Sequence, residues 1–199
     1  MLSESKQVRS FAQNILKPLC EILISLKITP NLISFLGLIF SAFVCVFTYL
    51  DKIILALLFL IFSGICDMLD GSLARLYKIE SKFGAFLDSF LDRYADFFIF
   101  LSIMILAFKK KDFFLFISSA LALVGAFATS YAKARAESLG LKMKVGFFER
   151  PERIIFLILA FFTLLYSYDL FKFLIFILAI FTNLTAFQRF YFAYKNLNF

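Results

Sequence analysis

The chain has 199 residues, 62% of them hydrophobic, and a mean hydropathy of +0.91. This composition is far from that of an average soluble domain and predicts an integral membrane protein. The absence of histidine excludes catalytic triads with a histidine base and metal sites with imidazole ligands. The net charge of +7 indicates attraction to anionic lipids and phosphate-bearing substrates, and we do not expect nucleic acid as a partner.

The N-terminal segment has the pattern of a helix that lies on the membrane surface. Within residues 3–27, apolar side chains recur at helical spacing, and polar or charged side chains occupy the opposite face. Pro18 is expected to kink this helix. The alternative is a poorly ordered tail. We expect no cleavable signal peptide, because charged residues interrupt the segment, and we predict a juxtamembrane helix over residues 1–28.

Six apolar runs follow, each close to the length of about twenty residues that crosses a bilayer. They lie at residues 32–50, 53–75, 83–108, 112–132, 153–168 and 170–192. The predicted fold class is therefore all-α, a polytopic membrane protein with six transmembrane helices plus the N-terminal interfacial amphipathic helix. Residues 29–199 would form the six-helix bundle, and residues 1–199 would form a single membrane domain.

The distribution of basic residues predicts the orientation in the membrane, since Lys and Arg are retained on the cytoplasmic side. Most of the 21 basic residues lie in the N-terminal segment, around the 76–82 turn, in the 133–153 region or in the tail. The lysine cluster at 109–111 opposes this assignment. We expect a multi-pass protein of the cell membrane with both termini and the active site on the cytoplasmic side.

Four aspartates lie within the apolar stretches, where a carboxylate is costly and usually marks a functional site. Asp67 and Asp70 are three residues apart, and Asp88 and Asp92 are four apart, so each pair shares one helical face. The polar turn at 76–82 lies between the pairs. If the two segments form an antiparallel hairpin, the four carboxylates meet.

Converging carboxylates suit Mg²⁺, which prefers oxygen ligands and leaves positions for substrate phosphates. Two such ions about 3.5–4 Å apart can clamp both oxygens of a phosphoryl transfer. The small residues Gly71 and Ala74 would let a nucleotide lie close to the backbone, and Gly84 would leave room on the opposite wall. Arg75 could reach a phosphate or neutralise a carboxylate.

A purely structural alternative is that the aspartates pair with arginines to hold helices together. Arg75 and Arg93 are the candidate partners, but two arginines cannot neutralise four aspartates, and Asp96 increases the imbalance. Divalent cations would supply the missing positive charge.

The whole motif resembles that of the CDP-alcohol phosphotransferases. It reads Asp67-x2-Asp70-Gly71-x2-Ala74-Arg75-x8-Gly84-x3-Asp88-x3-Asp92, and the segment Thr29-Pro30-Asn31 is similar to the N-terminal signature of the family. The resemblance implies six helices, a homodimer, and Mg²⁺-dependent transfer of a phosphatidyl group from a CDP-linked lipid to an alcohol with release of CMP. Mn²⁺ is a possible substitute.

The resemblance also implies roles for individual residues. Asp67, Asp70 and Asp88 would be metal ligands, and Asp92 would be both a ligand and the base that deprotonates the acceptor. The expected contacts of the cytidine diphosphate are Thr29, Pro30, Asn31, Gly71, Ala74 and Arg75.

A second stretch bears on the acceptor alcohol. The segments 131–137 and 146–153 place Lys133 and Arg153 on either side of one connection, and Arg189 could join them. Three cations around one hollow are suited to a phosphate dianion. The segments resemble the branch of the family that makes phosphatidylinositol phosphate or its archaeal-type counterpart. A solvated charged loop is the alternative, which we prefer for Lys142 and Lys144.

The predicted function is transfer of a phosphatidyl group from a CDP-linked diacyl or ether lipid to 1L-myo-inositol 1-phosphate. The enzyme would be surrounded by membrane lipids. One rival is the same reaction with glycerol 3-phosphate, serine or another alcohol as acceptor. The other rival is a cation transporter, which also places acidic residues at membrane depth. The scattered Cys20, Cys45 and Cys66 are expected to be packing residues.

Overall fold

The structure is a computed structural model that describes residues 6–197, with side chains described from residue 16 onward. Within residues 6–197 it contains seven α-helices and no strand. The helices are α1 Lys6–Ser25, α2 Pro30–Tyr49, α3 Ile53–Leu76, α4 Lys82–Lys110, α5 Phe113–Ser138, α6 Arg150–Leu164 and α7 Tyr168–Leu197. The all-α prediction is therefore confirmed for the described residues, and residues 1–5 of the predicted N-terminal helix lie outside them.

Each of the six predicted apolar segments corresponds to one helix, α2 to α7. The largest differences are at the ends: α5 continues six residues past its apolar run, to Ser138, and α7 continues five past its run, to Leu197. These extensions contain charged and polar residues, and they stay helical because backbone hydrogen bonds do not require apolar side chains.

Four helices of the described residues are long and apolar enough to cross a membrane, namely α2, α3, α5 and α7. The other two predicted spans are helical but differ in character. The 15 residues of α6 are fewer than the roughly twenty that cross a bilayer. The 29 residues of α4 are numerous enough, but its apolar stretch is interrupted by Asp88, Asp92, Arg93 and Asp96.

The helix starts follow recognisable local rules. Thr29 caps α2, where its Oγ1 accepts a hydrogen bond from the Leu32 amide at 3.4 Å, and Pro30 takes the first helical position. Asp112 caps α5 in the same way, through the Leu115 amide at 2.9 Å. Pro151 lies in the first turn of α6, where its missing N–H costs no hydrogen bond.

The chain forms two compact units, and the division falls within α4, between Ile99 and Phe100. In the first unit α2 packs closely on α3. A Cβ added to Gly37 would lie 3.1 Å from Cys66 Cβ, and the buried Ser41 and Ser63 hydroxyls are 2.8 Å apart. Small residues and hydroxyl bonds are common where membrane helices pack together.

Helix α1 also packs within the first unit, against α3. Cys20 is fully buried in a cluster with Leu69 and Leu73, which confirms a packing role for this cysteine. On another face of α1, Leu19 and Ile22 are exposed. The helix therefore contacts the protein on one side and offers apolar side chains on another, as an interfacial helix would.

In the second unit α5 packs on α7. A Cβ added to Gly125 would lie 2.5 Å from Thr182 Oγ1, so only glycine allows this approach. Thr129 Oγ1 donates to the Thr182 carbonyl at 3.1 Å, and Asn183 Nδ2 donates to the Leu121 carbonyl at 2.9 Å. These bonds fix α7 against the helix that carries Lys133.

Candidate active site

Three of the four predicted aspartates converge where α3 and α4 meet. Asp67 lies on α3, Asp88 and Asp92 lie on α4, and each offers one carboxylate oxygen within 4.8 Å of the others. All three side chains are half-buried. Carboxylate oxygens are ligands for Mg²⁺ and Mn²⁺, so this three-carboxylate group, Asp67, Asp88 and Asp92, fits a divalent cation.

The fourth aspartate has different partners. Asp70 lies outside the three-carboxylate group and is almost fully buried at 5% exposure. Its Oδ2 accepts a hydrogen bond of 2.6 Å from Ser34 Oγ on α2, and its Oδ1 accepts one from the Gly71 amide. Ser34 is not predictable from the sequence, because the motif spacing contains no information about which side chain of α2 faces α3.

A cavity of about 450 Å³ opens beside these carboxylates, a size typical of small-ligand sites. Asp70 and Asp88 both line it, so the cavity and the three-carboxylate group share Asp88. All six residues predicted to contact the nucleotide line it as well: Thr29, Pro30, Asn31, Gly71, Ala74 and Arg75. The structure therefore brings the predicted nucleotide contacts into one cavity.

The two motif glycines in the cavity wall are places of close approach. A Cβ on Gly71 would lie 3.1 Å from Arg75 Nη1, so the Arg75 guanidinium lies beside the backbone that the sequence predicts a nucleotide to approach. A Cβ on Gly84 would lie 2.9 Å from Ser81 Oγ and 3.2 Å from Asn31 Oδ1. Gly84 thus brings the start of α4 close to the start of α2.

One ion pair of the structural alternative is present at the three-carboxylate group. Arg93 Nη2 lies 3.5 Å from Asp92 Oδ2, and both side chains are less than one-third exposed. Arg75, the second arginine of that alternative, lines the cavity.

The predicted phosphate-binding cations belong to the second unit, on α5, α6 and α7. Lys133 Nζ lies 3.7 Å from Glu149 Oε1, and Arg189 Nη2 donates to the same oxygen. Arg189 is buried, and so is Arg153 in the first turn of α6. The structure therefore gathers Lys133 and Arg189 around one carboxylate, that of Glu149, which the motifs of the sequence do not predict.

A family model described as CDP-alcohol phosphatidyltransferase matches residues 27–185. The chain belongs to this family. As a CDP-alcohol phosphatidyltransferase it is a membrane enzyme of phospholipid synthesis, which leaves the cation-transporter alternative without support.

Relatives of the enzyme match it along most of their length. The archaetidylinositol phosphate synthase of Pyrococcus horikoshii is 33% identical over 192 residues, which are 96% of this chain and 97% of the relative. The phosphatidylinositol phosphate synthase of Mycobacterium tuberculosis with CDP-DAG bound superimposes with a TM-score of 0.82 at 29% identity, over 91% of this chain and 94% of that one.

A second structure of the Mycobacterium tuberculosis protein contains manganese and citrate. It has a TM-score of 0.79 and 27% identity, and the match covers 89% of this chain and 88% of that one. A manganese-bound relative and the three-carboxylate group together indicate that the CDP-alcohol phosphatidyltransferase described here uses a divalent cation.

Proposed function

We propose that this enzyme transfers the phosphatidyl group of a CDP-linked diacyl or ether lipid to 1L-myo-inositol 1-phosphate and releases CMP. The observation that carries the proposal is the cavity that shares Asp88 with the three-carboxylate group and is lined by all six predicted nucleotide contacts. The names of the relatives, both inositol phosphate synthases, support the choice of acceptor.

The donor would bind with its cytidine diphosphate in the cavity and its lipid tails in the bilayer. The wall of the cavity includes Thr29, Pro30 and Asn31 at the start of α2 and Gly71 and Ala74 on α3. The Arg75 guanidinium lies over Gly71, where its donors can bind a phosphate oxygen.

The three carboxylates, with Asp70 as a fourth ligand, would hold two divalent cations, with Mg²⁺ as the expected metal and Mn²⁺ as a substitute. When bound, such cations would neutralise charge on the transferred phosphate. Asp70 would join the ligand set from its position beside Ser34, since both side chains line the cavity.

Asp92 would act as the general base. Its carboxylate accepts the proton of the inositol hydroxyl, the oxygen attacks the lipid-bearing phosphorus, and the bond from that phosphorus to the CMP oxygen breaks. Arg93 Nη2 lies 3.5 Å from Asp92 Oδ2, so a cation stands beside the proposed base. Lys133, Arg153 and Arg189 would bind the phosphate of the acceptor.

The proposed setting is the plasma membrane, with α2 to α7 as six spanning helices of a single membrane domain over residues 1–199 and α1 on the surface. The charges that interrupt α4 include the site aspartates, so its lower apolar character has a functional reason. At about 1.5 Å per residue α6 is short, and residues 165–167 would complete its crossing. Both termini and the site would be cytoplasmic, and the enzyme would be a homodimer.

The test is a panel of labelled acceptors given to the purified protein with CDP-diacylglycerol and Mg²⁺. The proposal expects CMP and a labelled lipid with inositol 1-phosphate, and little product with glycerol 3-phosphate, serine or free inositol. Equal turnover with an unphosphorylated acceptor would overturn the acceptor assignment, and absence of CMP with every acceptor would overturn the reaction.

A further inference from the structure

Glu149 contacts two of the three proposed phosphate-binding cations. Its Oε1 accepts a hydrogen bond from Arg189 and lies 3.7 Å from Lys133 Nζ, so one carboxylate oxygen serves two cations. A phosphate of the acceptor would need the same positive charges. We propose that Glu149 holds Lys133 only until the acceptor binds. Lys133 then leaves Glu149 for the acceptor phosphate, while Arg189 remains bonded to Glu149; this inference rests on the proposed function.

Arg189 is held too firmly to be the moving partner. Its Nε donates to the Val145 carbonyl at 2.9 Å, its Nη1 donates to the Thr129 carbonyl at 2.9 Å, and its Nη2 donates to Glu149. The side chain is 3% exposed. Moving it would break three hydrogen bonds and leave a buried charge uncompensated, which is strongly unfavourable.

The loop before α6 is shaped around this guanidinium. Gly146 has a φ of +131°, and a Cβ there would lie 2.8 Å from Arg189 Nε. The loop therefore passes directly against Arg189 and delivers both Val145 and Glu149 to it. Arg189 keeps its place and contributes its charge to the site without changing partners.

Lys133 has the opposite properties. Its Nζ is farther from Glu149 than a normal hydrogen bond allows, and its side chain is 36% exposed. An ion pair with this exposure is weak. A phosphate carries more charge than a carboxylate and has three acceptor oxygens, so Lys133 exchanges Glu149 for the acceptor phosphate when the acceptor arrives.

The exchange makes Glu149 a specificity determinant. An acceptor without a phosphate cannot compensate Lys133 for the lost carboxylate, whereas a phosphorylated acceptor can. Competition from Glu149 also raises the acceptor KM above the value that the same cations would give with no internal anion.

The test is Glu149→Gln, which keeps a side-chain oxygen for Arg189 and removes the charge that holds Lys133. We expect the acceptor KM to fall about two- to fivefold, with kcat and the KM of the CDP-lipid unchanged. Inorganic phosphate, used as a competitor of the acceptor, should show a Ki lower by the same factor. In a Lys133→Ala background the effect of Glu149→Gln on both constants should disappear.

A higher acceptor KM in Glu149→Gln would overturn the inference. So would an effect of Glu149→Gln that is equally large in the Lys133→Ala background. If Glu149→Gln does not fold, a structure of the wild-type protein with inorganic phosphate decides: Lys133 should contact the phosphate while Arg189 keeps Glu149, and any other pairing contradicts the exchange. Failure of the proposed function is distinguishable from failure of this inference. In that case the wild-type protein would make no lipid product from inositol phosphate, but inorganic phosphate would still bind more tightly to Glu149→Gln than to the wild type.

Discussion

Ser34 on α2 donates a hydrogen bond of 2.6 Å to Asp70 on α3, and Asp70 lies outside the three-carboxylate group. The motif predicts four metal ligands, and the fold gives one of them, Asp70, a hydroxyl partner from a neighbouring helix. The pair lies in the wall of the cavity, so metal binding and the Ser34 bond are expected to be coupled.

Ser34→Ala tests this coupling. Without the hydroxyl, the buried Asp70 carboxylate loses a partner in the metal-free protein, which should lower the free energy of unfolding by about 1.5–3 kcal/mol. Saturating Mn²⁺ should recover most of this loss, because Asp70 then has a cation. Thermal unfolding with and without Mn²⁺ measures both values.

Ser41→Ala is the matched control for that experiment. Ser41 bonds to Ser63 in the same pair of helices, outside the residues that line the cavity. Its loss should destabilise the protein equally with and without Mn²⁺. If Ser34→Ala behaves like Ser41→Ala, the coupling between Ser34 and metal binding does not exist.

Removal of divalent cations should stop the reaction reversibly. A chelator is expected to abolish CMP release, and Mg²⁺ or Mn²⁺ should restore it. Asp67→Asn removes one ligand and should weaken Mn²⁺ binding by more than about tenfold, measured by electron paramagnetic resonance on the purified protein. Asp169→Asn, whose carboxylate is 90% exposed at the start of α7, should bind Mn²⁺ as the wild type does. Equal binding by all three proteins would remove the metal assignment.

Gly84→Ala should narrow the cavity. The added Cβ would lie within 3.2 Å of the Asn31 and Ser81 side chains, both in the cavity wall, and one of them must move. We expect the KM of the CDP-lipid to rise on the order of tenfold. The control is Gly37→Ala, which crowds Cys66 and should lower the melting temperature with no change in that KM. A KM that rises equally in both variants would indicate a general packing defect.

Asp112 gives the second unit a predictable acid sensitivity. Burial would raise the pKa of this carboxyl, but hydrogen bonds from the Leu115 amide, Lys172 Nζ and the Tyr168 hydroxyl outweigh burial and hold the pKa below its ordinary value. A folded-state pKa below the unfolded one means that the stabilisation is complete above about pH 4 and is lost as the pH falls through the folded-state pKa.

Asp112→Asn should therefore unfold more easily than the wild type at neutral pH, and the difference should shrink as the solution is acidified below pH 4. Unfolding midpoints measured across this range check the sign. A difference that grows on acidification would show that Asp112 does not provide this stabilisation.

The sequence predicts the helices well because their apolar runs are long and continuous, and it predicts the convergence of Asp67, Asp88 and Asp92 because helical spacing fixes which face each side chain shares. The structure also places every predicted nucleotide contact in one cavity. The helix positions and the clustering of these residues can be expected from local periodicity and from a long motif.

What the sequence does not predict are contacts between elements that are distant in the chain. Ser34 and Asp70 are 36 residues apart, and Arg189 and Glu149 are 40 apart, and no periodicity links either pair. One signal for Glu149 is present in the sequence. It is an acidic residue among several cations, and a buried Arg189 requires an anionic partner.

The central claim is that the enzyme transfers a phosphatidyl group from a CDP-linked lipid to inositol phosphate at the three-carboxylate group and the adjoining cavity. Its most direct test is simultaneous measurement of CMP and labelled lipid product from CDP-diacylglycerol and inositol 1-phosphate, for wild type and for Asp92→Asn. We predict one CMP for each lipid formed by the wild type and a fall in rate of about 10²–10⁴-fold in the variant, with its helical content unchanged. Full turnover by Asp92→Asn, or CMP release without a lipid product, would contradict the account.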